Sequence, residues 1–236
     1  MTFNHCHQHF RLVSHHFGFC GYKWFDILIN YFPFSPKWLC VPKVMILSHS
    51  FVQRLSGDLE QHFDDRAKSN FNLEDVKVRV FGVGGRTVNK IEPFDLMSPF
   101  FAPDFVISEI GTNDLCNKPP EMVGSQIDKL VVLSLNHFSV GVVGVCQVIK
   151  QAEPTFNKVQ VLNLYLSVVV DRPEVFVWQH KILDSPSLDF LLEDGVHLNP
   201  CGQYLVYRSY QGAILKAVNI LNKFEWIMLM SNTLCW

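Results

Sequence analysis

At 236 residues, with 48% hydrophobic content and a formal charge of -2, the chain can bury a substantial core in one domain with extensions. Near-neutral charge without a dense Lys/Arg run excludes the broad basic face that nucleic-acid phosphates require. No apolar run reaches the ~18 uninterrupted residues of a membrane helix, so small neutral molecules are the expected partners.

Residues 1–40 carry His5, His7, His9, His15 and His16 with Cys6 and Cys20 among aromatics, without helical or strand periodicity. As metal ligands they would need a closed set of suitable spacing. The plainer reading is an unplaced N-terminal extension with no metal. Lys23, Asp26, Asn30 and Pro33 interrupt the apolar stretch from Phe17 to Phe34, which is neither a spanning helix nor a signal peptide. The seven cysteines show no paired short spacing, and an odd number cannot all pair within one chain, so free, mostly buried thiols are expected. These features favour a soluble, cytoplasmic protein and leave compartment and oligomeric state open.

From Val41 the pattern becomes regular. Apolar, β-branched runs predict buried strands at Val44 to Leu47, Val76 to Phe81, Phe105 to Ile110, Val140 to Ile149 and Val175 to Trp178, each followed by a loop and a helical stretch. Such alternation predicts an α/β fold with a five-stranded parallel sheet. Val123, Ile127, Leu130 and Val131 fall on one helical stripe after Pro120, and a second helix is predicted from Tyr204 to Leu221, after the Asn199-Pro200 start signal. The core domain is expected over residues 41–222, with residues 223–236 left as a C-terminal tail.

In an open parallel sheet, ligands bind outside the carboxyl ends of the strands. Ser50 follows the first predicted strand, the glycine-rich Gly82 to Thr87 the second, and Gly111-Thr112-Asn113-Asp114 the third, so three distant loops converge on one rim. Each has an ordinary structural reading. Ser50 can be a helix N-cap, Gly85 part of a flexible turn, Asn113 a loop residue bonding its own backbone, and Asp194-Gly195 a turn dipeptide. Each also has a chemical one. A serine at a strand-to-helix turn presents its hydroxyl at the rim, a loop without Cβ atoms lets a backbone N–H approach a ligand oxygen, and an Asn amide is a second donor there. In Asp194-Gly195-Val196-His197, an Asp three residues before a His can fix the imidazole tautomer, and a fixed imidazole can take a proton from a serine. A phosphate-binding loop is excluded, since the glycines do not follow the first strand and no Gly-Lys-Ser/Thr closes them.

Together these residues resemble the SGNH hydrolases, or GDSL-type esterases and lipases, over the core domain. In that resemblance Ser50 takes the place of the nucleophile, Gly85 of the oxyanion-hole glycine, Asn113 of the oxyanion-hole asparagine, and Asp194 with His197 of the Asp-x-x-His pair. The chain is most similar to a divergent animal group whose first motif reads Gly-His-Ser-Phe-Val and whose last reads Asp-Gly-Val-His-Leu-Asn. The resemblance implies a three-layer α/β/α sandwich of flavodoxin-like type, no cofactor, and a serine esterase in which Ser50, Asp194 and His197 form the triad and the Ser50 and Gly85 amides with the Asn113 side chain form the oxyanion hole. A small-molecule ester is the implied substrate. The family's Gly-Asp-Ser reads here Ser48-His49-Ser50, and the missing Asp is not the triad acid. His49 is expected to point away from Ser50, as adjacent residues on a turn usually do. Two other readings remain open: a catalytically impaired SGNH-like binding module, and an accessory domain associated with a retroelement.

Overall fold

Five short apolar runs pair into one parallel sheet: β1 (Lys43–Ser48), β2 (Lys77–Gly82), β3 (Phe105–Glu109), β4 (Val142–Cys146) and β5 (Val175–Trp178), in the order β2-β1-β3-β4-β5. The computed structural model describes residues 41–55, 70–91, 101–137, 140–152, 155–169, 172–183 and 188–233. The N-terminal extension with its histidines and cysteines lies outside them. All five residues of β3 and of β4 are buried, as a central strand with helices on both faces requires, whereas edge strand β2 has only exposed and half-buried positions.

The period-2 alternation of side chains splits the core in two. Val44 and Ile46 of β1 pack on one face with Phe51, Val52 and Leu55 of α1, the helix that begins at Ser50, and with Tyr210, Ile214 and Ala217 of α5 (Pro200–Thr233). Met45 and Leu47 face the other way, onto Val123 and Ile127 of α3 (Pro120–His137) and Val159 and Leu162 of α4 (Phe156–Val169). A short helix, α2 (Thr112–Leu115), lies between β3 and α3. The result is an α/β/α sandwich. Removing either layer would expose side chains each worth about 1.5–3 kcal/mol when buried, which is why the two-sided apolar pattern demands helices on both faces.

The predicted stripe Val123, Ile127, Leu130, Val131 is buried as expected. The first three strands differ from their expected bounds by one residue at one or both ends, and two elements differ by more. The fourth strand was expected from Val140 to Ile149 but ends at Cys146, because the Asn163 side chain takes both backbone groups of Val148: its Oδ1 accepts from the Val148 N–H at 2.7 Å and its Nδ2 donates to the Val148 carbonyl at 2.9 Å. The last helix starts earlier and runs further than Tyr204 to Leu221. Pro200 suits its first position, and Asn199 caps it by accepting from the Gly202 N–H at 2.9 Å. Three cysteines fall among the described residues and all are free; Cys146 is buried, whereas Cys116, just past α2, and Cys201, in α5, are exposed, and the other four lie outside the described residues. No helix of the described residues is long and apolar enough to cross a membrane.

Register sets the site. Ser48 pairs with Gly82 on one side and with Glu109 on the other, so β2, β1 and β3 end level. Strand order reverses between β1 and β3, and the loops that follow them face the crevice where such sheets bind ligands.

Candidate active site

Ser50 is half-buried at the first position of α1, one residue beyond the buried His49. The two side chains do not point apart. His49 Nδ1 lies 3.4 Å from Ser50 Oγ, and Nε2 lies 3.2 Å from Thr112 Oγ1 at the start of α2. The ring packs against Phe51 at 4.7 Å between centroids. The expected separation fails because β1 is buried through to its end, leaving the next side chain only the gap between Phe51 and Thr112. Burial, with the charge of His197 as a second cause, lowers the His49 pKa from 6.5 to about 4. His49 is therefore a neutral imidazole near pH 7.

The second loop is tied to the third. Arg86 N–H closes a turn onto the Val83 carbonyl at 3.2 Å, with Gly85 at φ +67, a left-handed angle that side-chain-bearing residues rarely adopt. A Cβ on Gly85 would meet nothing within 4 Å, so the backbone angle, not crowding, calls for glycine. Asn113 donates through Nδ2 to the Arg86 carbonyl at 2.8 Å. Its amide bonds a neighbouring loop, not its own backbone, and this uses one of its two hydrogens. The buried Asp114 accepts from the Val88 N–H at 2.9 Å and from Lys118 Nζ at 2.6 Å, a second clamp between the same loops.

The last motif forms a compact turn. Asp194 Oδ1 accepts from the backbone N–H groups of Val196 at 2.9 Å and His197 at 2.8 Å, while Oδ2 lies 2.7 Å from His197 Nδ1. These hydrogen bonds, led by the His197 backbone amide, hold the Asp194 carboxyl well below the usual carboxylate range. A carboxylate can only accept, so Nδ1 carries the imidazole hydrogen and Nε2 is left as the base. Gly195, at φ +66, accepts through its carbonyl oxygen from the Ala152 N–H at 2.8 Å, and a Cβ there would strike the Ala152 side chain at 2.6 Å. That contact anchors the turn beside the loop after β4. Within hydrogen-bond reach the structure thus joins Asp194 to His197, Asn113 to the glycine loop and Ser50 to His49; among the described residues no hydrogen bond joins Ser50 to His197.

No protein-family model matches the sequence, and no curated protein matches it. Solved structures do. A member of the lipolytic protein G-D-S-L family from Veillonella parvula is 14% identical with a TM-score of 0.53, covering 71% of this chain and 94% of its own. A carbohydrate esterase family 3 protein from Talaromyces cellulolyticus is 14% identical with a TM-score of 0.54, covering 75% and 98%. An acetyl esterase variant solved with acetate ion is 14% identical with a TM-score of 0.55, covering 76% and 99%. The fold is SGNH hydrolase-like.

Behind the rim of this SGNH hydrolase-like fold lies a buried polar layer that sequence reasoning missed. Glu109, wholly buried at the end of β3, accepts from the Tyr210 hydroxyl of α5, and His180 Nε2 lies 3.9 Å from the same carboxylate oxygen. Ser209 Oγ accepts from Trp178 Nε1 at 3.0 Å and lies 2.8 Å from His180 Nδ1. Burial raises the Glu109 pKa from 4.5 to about 7 and lowers that of His180 from 6.5 to about 4. The only signal in the sequence is a carboxylate closing the apolar run Phe105-Val106-Ile107-Ser108-Glu109. Its partner is 101 residues away and has no motif.

Proposed function

We propose that this chain is a serine esterase. Ser50 Oγ attacks the carbonyl carbon of a carboxylic ester while His197 Nε2 takes its proton, and Asp194 holds the imidazole and stabilises the imidazolium that forms. The backbone N–H groups of Ser50 and Gly85 and the Asn113 amide meet the oxyanion of the tetrahedral intermediate. Collapse expels the alcohol, which leaves with the proton from His197. Water, deprotonated by the same imidazole, then releases the acid from the acyl-enzyme.

The observation that carries this reading is the 2.7 Å contact between Asp194 Oδ2 and His197 Nδ1, which fixes the imidazole tautomer and leaves Nε2 free to accept a proton. Catalytic hydrogen bonds are often long before substrate binds and tighten in the complex, so a serine and imidazole apart at rest are compatible with a working triad. Two of the similar structures are named for an acetyl esterase and a carbohydrate esterase, which makes short acyl groups the first substrates to try.

Hydrolysis of p-nitrophenyl acetate by the full chain, with Ser50→Ala and His197→Ala as controls, tests the proposal. Turnover by the parent and its loss in both variants is the expected result. Equal turnover by all three overturns it.

A further inference from the structure

The buried imidazole of His49 faces a hydroxyl on each side. Thr112 Oγ1, itself buried, is 3.2 Å from Nε2, and Ser50 Oγ is 3.4 Å from Nδ1. A neutral imidazole carries one hydrogen, so one nitrogen donates and the other accepts. The two choices have opposite consequences for Ser50. If Nδ1 accepts, it draws the serine hydrogen toward His49 and away from His197. If Thr112 donates to Nε2, the hydrogen lies on Nδ1, engages a lone pair of Ser50 Oγ and leaves the serine's own hydrogen to turn toward the general base.

We infer that His49 is a positioning residue: with its tautomer set by the Thr112 hydroxyl, it donates from Nδ1 to Ser50 Oγ and orients the serine for proton transfer to His197. This rests on the reading of Ser50 as nucleophile and His197 as base. His49 moves no proton itself. A base of pKa about 4 takes protons poorly near neutrality, and among the described residues no carboxylate is bonded to its ring, whereas His197 has Asp194. What the site gains from the buried ring is a fixed donor without a charge beside the nucleophile.

The test uses amide replacements that reach one ring nitrogen or the other. His49→Asn places an amide near the position of Nδ1 and keeps a donor to Ser50. His49→Gln reaches the Nε2 position and leaves Ser50 without one. Thr112→Val removes the hydroxyl and keeps the shape. His49→Gln and Thr112→Val are expected to lower kcat about tenfold, the worth of one hydrogen bond, with KM and the pH profile of kcat/KM unchanged, and His49→Asn to stay within about threefold of the parent. Full kcat in His49→Gln and Thr112→Val, or a loss in His49→Asn as large as in His49→Gln, overturns the inference.

A second readout does not depend on turnover. Long-range ¹H–¹⁵N correlation on the His49 ring of the folded full chain should find the hydrogen on Nδ1; a hydrogen on Nε2 overturns the inference even in an active enzyme. Failure of the parent to hydrolyse any ester refutes the esterase reading instead, and the tautomer still decides the His49 geometry.

Discussion

Glu109→Gln should make the protein more stable in alkaline solution. The carboxyl is wholly buried, and burial raises its pKa from 4.5 to about 7 against the opposing effect of the Tyr210 hydrogen bond. A group whose folded pKa lies above its unfolded value contributes stability that is complete below the unfolded pKa and lost as pH rises through the folded one. The window is therefore pH 4.5 to 7. At about 1.4 kcal/mol per pH unit the loss is about 3 kcal/mol by pH 8, a large share of a typical domain's margin. His49 and His180, both lowered to about 4, act with the opposite sign: their contribution is present above 6.5 and lost as pH falls through 4. Between pH 4.5 and 6.5 the two histidines outweigh the one carboxyl, so parental stability should rise to a maximum near pH 6.5 and then settle lower. Glutamine keeps an oxygen to accept from Tyr210 and cannot ionise. Urea unfolding followed by tryptophan fluorescence at pH 5 and pH 9 should find the two proteins nearly alike at pH 5 and the variant about 2–3 kcal/mol more stable at pH 9. A variant less stable than the parent at pH 9, or one with the parent's pH dependence, would refute the reasoning.

Asp194→Asn should lower kcat on the order of 10³- to 10⁴-fold at little cost in stability. The two backbone N–H groups on Oδ1 require an oxygen there, so the new amide NH₂ must face His197 Nδ1 and force the hydrogen onto Nε2; undiminished turnover would detach Asp194 from the chemistry. Asn113→Ala removes the proposed oxyanion donor together with the bond to the Arg86 carbonyl, and should lower kcat on the order of 100- to 1000-fold while KM changes little and stability falls by about 1 kcal/mol. A loss of stability with normal kcat in the remaining folded protein would return Asn113 to a structural role. Gly85→Ala meets no steric obstacle and should cost only the ~1–2 kcal/mol of its left-handed angle, so a thermal melt lowered by far more would mean that the loop is packed differently.

The layered fold was legible because its signals are local. Buried strands such as Phe105-Val106-Ile107 read as continuous apolar runs, and the stripe from Val123 to Val131 declares its inward face. The Asp194-His197 pair was legible for the same reason: a spacing of three closes a turn on itself. What escaped depends on partners far apart in the chain. Asn163 ends β4 by taking the backbone of Val148, and nothing near either residue announces it. Glu109, Tyr210 and His180 meet only because β3, β5 and α5 pack together. His49 sits beside Ser50 because burial of β1 leaves its ring one space to occupy, which local turn geometry does not capture.

The central claim is that Ser50 is a nucleophile activated by His197. Its most direct test is reaction of the full chain with a fluorophosphonate, followed by intact mass and peptide mapping. The account predicts one adduct, on the Ser50 hydroxyl, absent in Ser50→Ala and strongly slowed in His197→Ala. No adduct on the folded parent, or an adduct on any other residue with Ser50 unmodified, would contradict it.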